Sequence, residues 1–236
     1  MRTVRIRLGR VPIRTGRGRL TDDTSRVPGD PMSTPFYYSV GIVSWPVLRL
    51  LFRLSARGLE NVPPGGIVLA SNHISNFDPW PLGFPLWPKR RLRWMGKSEL
   101  FNPVLGPIIR RGGAFPVRRG MNDREAIEKA IELARAGDVV VMFPEGTRRE
   151  KGLRKKFSPQ AHTGAARIAI VAGVPLVPAA VAGTDRLSRL VPLRVLYGEP
   201  IQLDDLPPQD HATAAKIATE RLMERIGELE EELRAG

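Results

Sequence analysis

Three short apolar runs, each leading into a polar, turn-rich loop, constrain this chain more than any other feature. GGIVLASN (65–72), GDVVVMFPEG (137–146) and VPLVPAAVAG (174–183) are rich in β-branched residues and too short for typical helices, so they read as buried strands. Helical patterns lie between and after them. In NDREAIEKAIELARA (122–136), Asn122 is placed as N-cap, Ala126, Ile127, Ala130, Ile131 and Ala134 share one face, and Gly137 stops the helix. A small-residue helix is expected over 161–172 and a further strand at LRVLYG (193–198). A charged amphipathic helix over about 212–234 reads as a solvated cap. Strands alternating with helices predict an α/β fold with a central, mostly parallel or mixed sheet flanked by helices. The 236 residues are enough for one sizeable domain, assigned to 58–236.

Two segments precede that domain. Residues 1–34 hold eight arginines among their first 31 positions and little apolar character, and are expected to be a disordered basic extension. Residues 1–31 are expected to be dispensable, with Met32 offering a natural start. Residues 35–57 are expected to be mostly helical. Arg49, Arg53 and Arg57 recur every four residues beside Val47, Leu48, Leu50, Leu51 and Leu54, and Phe36, Tyr37, Tyr38 and Trp45 gather toward the other end. Such a helix suits either a membrane headgroup region or packing against a core. It is broken by Pro46 and carries arginines, so it is no spanning segment.

Composition removes several kinds of chemistry. With no cysteine, the chain has no disulfide, zinc–thiolate site or cysteine nucleophile. The formal charge of +13 points to a polyanionic partner, either an anionic membrane surface or nucleic acid.

In α/β sheets, chemistry collects in loops beyond strand ends, and two loops here stand out. SNHISNFDP (71–79) contains one of three histidines, with Asp78 five residues after His73. A metal site needs more ligands than this stretch offers. A general base needs one imidazole and one group to fix its tautomer, and a purely structural polar pair looks the same in sequence. Residues five apart on a helix diverge by about 140°, so the pair must meet across a loop or a first helical turn. In FPEGTRRE (143–150), Pro144 and Gly146 force a turn, Thr147 offers a hydroxyl and Arg148 a guanidinium suited to phosphate. After the first loop, PWPLGFPLWP (79–88) is too proline-rich for a regular helix. Its Trp80, Phe84 and Trp87 suit an acyl groove, a membrane interface or simple core packing.

SNHISNFDP matches the N-H-x4-D signature of the glycerophospholipid acyltransferases of the 1-acylglycerol-3-phosphate acyltransferase type. GGAFPVRR (112–119), FPEGTRR (143–149) and VPLVPAAVAGT (174–184) resemble that family's further blocks in order, and GKSELF (96–101) resembles its lysine-bearing segment. The resemblance covers roughly residues 60–200. It departs from the family at Arg118, where an acid is frequent, and at Arg149, where serine is common.

The resemblance implies acyl transfer from an acyl thioester, on coenzyme A or acyl carrier protein, to the free hydroxyl of 1-acylglycerol 3-phosphate, giving phosphatidic acid. His73 would be the base and Asp78 its support. Glu145, Gly146, Thr147 and Arg148 would hold the glycerol phosphate, with Arg119 and Lys97 as further phosphate contacts. The thioester is a co-substrate, and neither a cofactor nor a metal is expected. The expected partners are a lysophospholipid, the thioester and an anionic membrane surface rather than nucleic acid. The expected location is the cytoplasmic face of the membrane, peripheral or monotopic. The alternatives are the same transfer to another lysophospholipid or polar lipid, and a non-catalytic basic protein that binds membranes or nucleic acid.

Overall fold

The computed structural model describes residues 35–117, 124–146, 161–207 and 210–235. Seven strands form one sheet: β1 (Ser55–Arg57), β2 (Ile67–Ser71), β3 (Leu92–Lys97), β4 (Ala114–Val117), β5 (Val139–Met142), β6 (Leu176–Ala182) and β7 (Arg194–Tyr197). Their order is β1-β7-β6-β2-β5-β3-β4. All neighbouring pairs are parallel except β6–β7, so the expected mostly parallel, mixed sheet is present. The three apolar runs became β2, β5 and β6, adjacent at the sheet centre. Every residue of β2 is buried, as a strand covered on both faces requires.

Alternate side chains feed two cores. On one face Val68, Ala70, Val140 and Leu176 meet α4 (Arg124–Arg135), α5 (Gly164–Ala172) and α6 (His211–Ala235). On the other, Ile67, Leu69, Val139, Val141 and Val181 meet Leu48, Phe52, Leu82 and Leu86. The small-residue faces of α4 and α5 allow close approach to the sheet, with Ala126, Ala130 and Ala134 buried in α4. Residue 122, the expected cap of α4, lies outside the described residues, as do residues 1–34.

Two sequence expectations need correction. The C-terminal helix is no solvated cap: Ala214, Ala218, Leu222, Ile226, Leu229 and Leu233 of α6 are buried. The expected amphipathic helix is present, but its apolar stripe is buried against α5, β6 and β7. Nor does residues 35–57 form one helix. Helix α1 (Pro35–Pro46) runs into a π turn over Val47–Leu51, and the chain then reverses through Arg53 at φ 46°. Ser55–Arg57 form β1, which covers the edge of β7. The single arginine stripe is therefore absent. Arg49 donates to Leu54 O, Arg53 to Leu190 O, and Arg57 faces Glu232.

Helix α1 is inverted relative to a core helix. It buries Gly41 and Ser44 and exposes Ile42, Val43 and Trp45. Gly41 is required there because the Trp87 indole occupies the space of a Cβ. The proline-rich stretch after the first loop forms one helical turn, α2 (Pro79–Gly83), followed by a 3-10 turn at Phe84–Leu86. Proline is tolerated there because it sits in the first turn of each.

Candidate active site

Strands β2, β3, β4, β5 and β6 run in one direction, so their carboxyl ends share one edge of the sheet. From β2 the chain moves outward to β3 on one side, while β6 lies on the other. Such a reversal leaves a crevice at the strand ends. The SNHISNFDP loop leaves β2 at that crevice, and FPEG leaves the adjacent β5.

His73 and Asp78 meet across the loop between β2 and α2. His73 Nδ1 lies 2.8 Å from Asp78 Oδ2. The same oxygen accepts from the backbone N–H of Ile74 at 2.6 Å and of Ser75 at 2.8 Å. The other oxygen, Oδ1, accepts from Thr184 Oγ1 at 2.5 Å. Asp78 is fully buried, and four donors offset the desolvation of its carboxylate. With Nδ1 committed to Asp78, Nε2 is the ring nitrogen left to meet a substrate. The Phe143 ring stacks on the imidazole, with centroids 4.1 Å and planes 18° apart. This contact joins the two unusual loops directly.

Asn72 anchors the loop on its other side. Its side chain accepts from Val181 N–H at 2.9 Å and donates to Val181 O at 3.0 Å. It thereby extends the β2–β6 ladder by one side-chain rung. Sequence reasoning assigned no role to Asn72, Phe143 or Thr184. Each lies inside a matched block, but none carries a charge to draw attention.

At the second loop, Glu145 is buried and Gly146 has φ 68°. A Cβ on Gly146 would lie 2.4 Å from the His162 ring, and His162 N–H donates to Pro144 O. Both the positive φ and this close approach require glycine. Lys97 is exposed at the carboxyl end of β3, paired in register with Val117 of β4. Glu145, Gly146 and Lys97 thus share the dyad's edge of the sheet. Thr147, Arg148 and Arg119 lie outside the described residues. Among the described residues, no group of three or more His, Asp or Glu side chains is arranged to hold a metal ion.

An apolar cavity of about 520 Å³ adjoins the dyad loop. Asn76, Phe77 and Trp80 form its wall nearest the dyad, while α1 and helix α3 (Gly106–Arg111) flank it with Tyr37, Val40, Ile108 and Ile109. Trp80, Phe84 and Trp87 all line it, and Trp80 and Phe84 also pack on the core. The aromatic cluster therefore serves the groove and the core together.

The Acyltransferase family model matches residues 53–182, more than half of the chain. The chain is 34% identical over 195 residues to a Bacillus subtilis 1-acyl-sn-glycerol-3-phosphate acyltransferase, covering 79% of this chain and 93% of that one. It is 29% identical over 170 residues to the Streptococcus pneumoniae enzyme of the same name, covering 70% and 61%. The crystal structure of the 1-acyl-sn-glycerophosphate acyltransferase PlsC from Thermotoga maritima shares the fold, with a TM-score of 0.53 at 21% identity over 83% of this chain and 89% of that one. The chain belongs to the acyltransferase family, in the glycerophospholipid branch of the 1-acylglycerol-3-phosphate acyltransferase type, and is an O-acyltransferase.

Proposed function

We propose that the protein transfers an acyl group from an acyl thioester to the free hydroxyl of 1-acylglycerol 3-phosphate, giving phosphatidic acid. The observation that carries this reading is the buried His73–Asp78 pair beside an apolar cavity and the FPEG turn.

The acceptor hydroxyl gives its proton to His73 Nε2 as its oxygen attacks the thioester carbonyl. Asp78 holds Nδ1–H and stabilises the imidazolium. The C–S bond then breaks, the new ester is released, and the departing thiolate takes the proton from the imidazolium. No acyl-enzyme is needed. The turn from Phe143 to Gly146, continuing into Thr147 and Arg148, receives the glycerol phosphate, with Lys97 and Arg119 as supporting cations. The donor carrier is coenzyme A or acyl carrier protein, and an acyl chain lies in the apolar cavity.

The protein works at an anionic membrane surface as a peripheral or monotopic enzyme, on its cytoplasmic face. No described helix is long and apolar enough to cross a membrane. Helix α1 nevertheless exposes Ile42 and Val43, and the segment leading into α3 exposes Val104, with Ile108 of α3 exposed beside them on the cavity wall. Apolar surface of this kind beside arginines suits a lipid headgroup layer.

The test is an acyl-transfer assay over a panel of lysophospholipid acceptors with His73→Ala and Asp78→Asn. Both variants are expected to stay folded, with a lowered melt, and to lose nearly all turnover. Full activity in His73→Ala would remove the histidine from the mechanism.

A further inference from the structure

We propose that Thr184 is a positioning residue for the acyl transfer, fixing the plane of the Asp78 carboxylate so that His73 is held in its reactive orientation. This rests on the dyad reading above, but not on the identity of the acceptor.

The distribution of donors around Asp78 is uneven. The His73 ring and the N–H groups of Ile74 and Ser75 all converge on Oδ2. Donors on one oxygen restrain rotation about Cβ–Cγ at one end of the carboxylate only, and the terminal torsion of aspartate is broad. Thr184 holds the other end. Its Oγ1 reaches Oδ1 at 2.5 Å from an element 106 residues away in sequence. With both oxygens held, rotation about Cβ–Cγ is opposed from both ends, which fixes the carboxylate plane and the direction along which Oδ2 receives the imidazole N–H.

The backbone around Thr184 is arranged to deliver it. Gly183 turns the chain out of β6 at φ 94°, where a Cβ would lie 2.5 Å from Pro192 O. Thr184 is 2% exposed and opens the 3-10 turn Thr184–Arg189. The same strand end grips the loop upstream of His73 through Val181 and Asn72. Strand β6 and the turn that follows it therefore hold the dyad loop at two places, Val181 at Asn72 and Thr184 at the acid. Thr184 takes no proton from the substrate; its hydroxyl acts through Asp78.

The test uses the full chain as Thr184→Val, Thr184→Ser, Thr184→Ala and His73→Ala, with kcat, both KM values and thermal melts. Loss of a hydrogen bond to a charged group, expressed in the transition state, predicts a fall in kcat of about 10- to 100-fold for Thr184→Val. Both KM values should stay within about threefold and Thr184→Ser should recover most of the rate. A Thr184→Val enzyme within about twofold of parental kcat overturns the proposal. So does Thr184→Ser as slow as Thr184→Val, or a loss confined to KM. Should Thr184→Val fail to fold, the two smaller variants decide. Serine faster than alanine by about tenfold supports the role of the hydroxyl, and equal rates overturn it. Activity surviving in His73→Ala refutes the dyad itself, whereas a dead His73→Ala beside a fully active Thr184→Val refutes the role of Thr184 alone.

Discussion

Asn72 offers a test of how the catalytic loop is held. Its amide pairs with both backbone groups of Val181, and its Oδ1 also accepts from Ser71 Oγ at 2.9 Å. Asn72 and Val181 are each 1% exposed. Asn72→Ala therefore strands a buried N–H, a buried C=O and a buried hydroxyl together. Each unsatisfied group costs about 1–3 kcal/mol, and partial re-pairing brings the sum toward the low end, about 3 kcal/mol. For a chain of this size 1 kcal/mol shifts Tm by about 2–4 °C, so the expected drop is about 6–12 °C by circular dichroism. Ser71→Ala removes a donor from an oxygen that keeps its bond to Val181 N–H, and should cost about 1 kcal/mol or less. Below its Tm, Asn72→Ala should also lose turnover, because residue 72 directly precedes the base. A Tm within about 2 °C of the parent would refute the view that this side chain completes the β2–β6 ladder.

Two further outcomes follow from buried and exposed extremes of the molecule. Tyr197 donates to Leu82 O at 2.6 Å and is 1% exposed, so Tyr197→Phe should cost about 1–2 kcal/mol at neutral pH in chemical denaturation. Burial pushes the phenol well above its ordinary value. The stabilisation is thus fully present below about pH 10 and declines above it, as the unfolded tyrosine ionises and the folded one does not. The gap between parent and Tyr197→Phe should narrow there, and a gap that widens would contradict the buried assignment. At the other extreme, Ile42 and Val43 are 64% and 68% exposed. Ile42→Glu with Val43→Glu should leave the melt within about 1 kcal/mol of the parent. The same pair should weaken sedimentation with anionic phosphatidylglycerol vesicles by about tenfold or more, and unchanged binding would remove α1 from the membrane face.

Periodicity and turn residues made β2, β5, β6, β7, α4 and α5 legible in the chain, because burial on both faces leaves a continuous apolar run and a helix leaves its own period. The loops after β2 and β5 were legible for a different reason. A histidine with an acid five residues on, and a Pro-Glu-Gly turn after a strand, are unusual polar combinations beside apolar runs. At α6 the amphipathic pattern was legible, but not that its stripe packs into the core against α5, β6 and β7. Local pattern misled at Ser55–Arg57, where pairing with β7 overrode a four-residue arginine repeat. Pairing partners lie far away in sequence, and no window of local composition contains them.

From the sequence alone followed the α/β class, the candidate base and its acid, and the acyltransferase resemblance. Only the tertiary structure decided what holds that pair and its loop: Asp78 meets Thr184 across 106 residues, Asn72 meets Val181 across 109, and Phe143 stacks on His73. The physical reason is the same in each case. A residue's chemical type is a property of the chain, whereas a hydrogen bond or a ring contact depends on distance and direction, and these exist only once β2, β5 and β6 lie side by side.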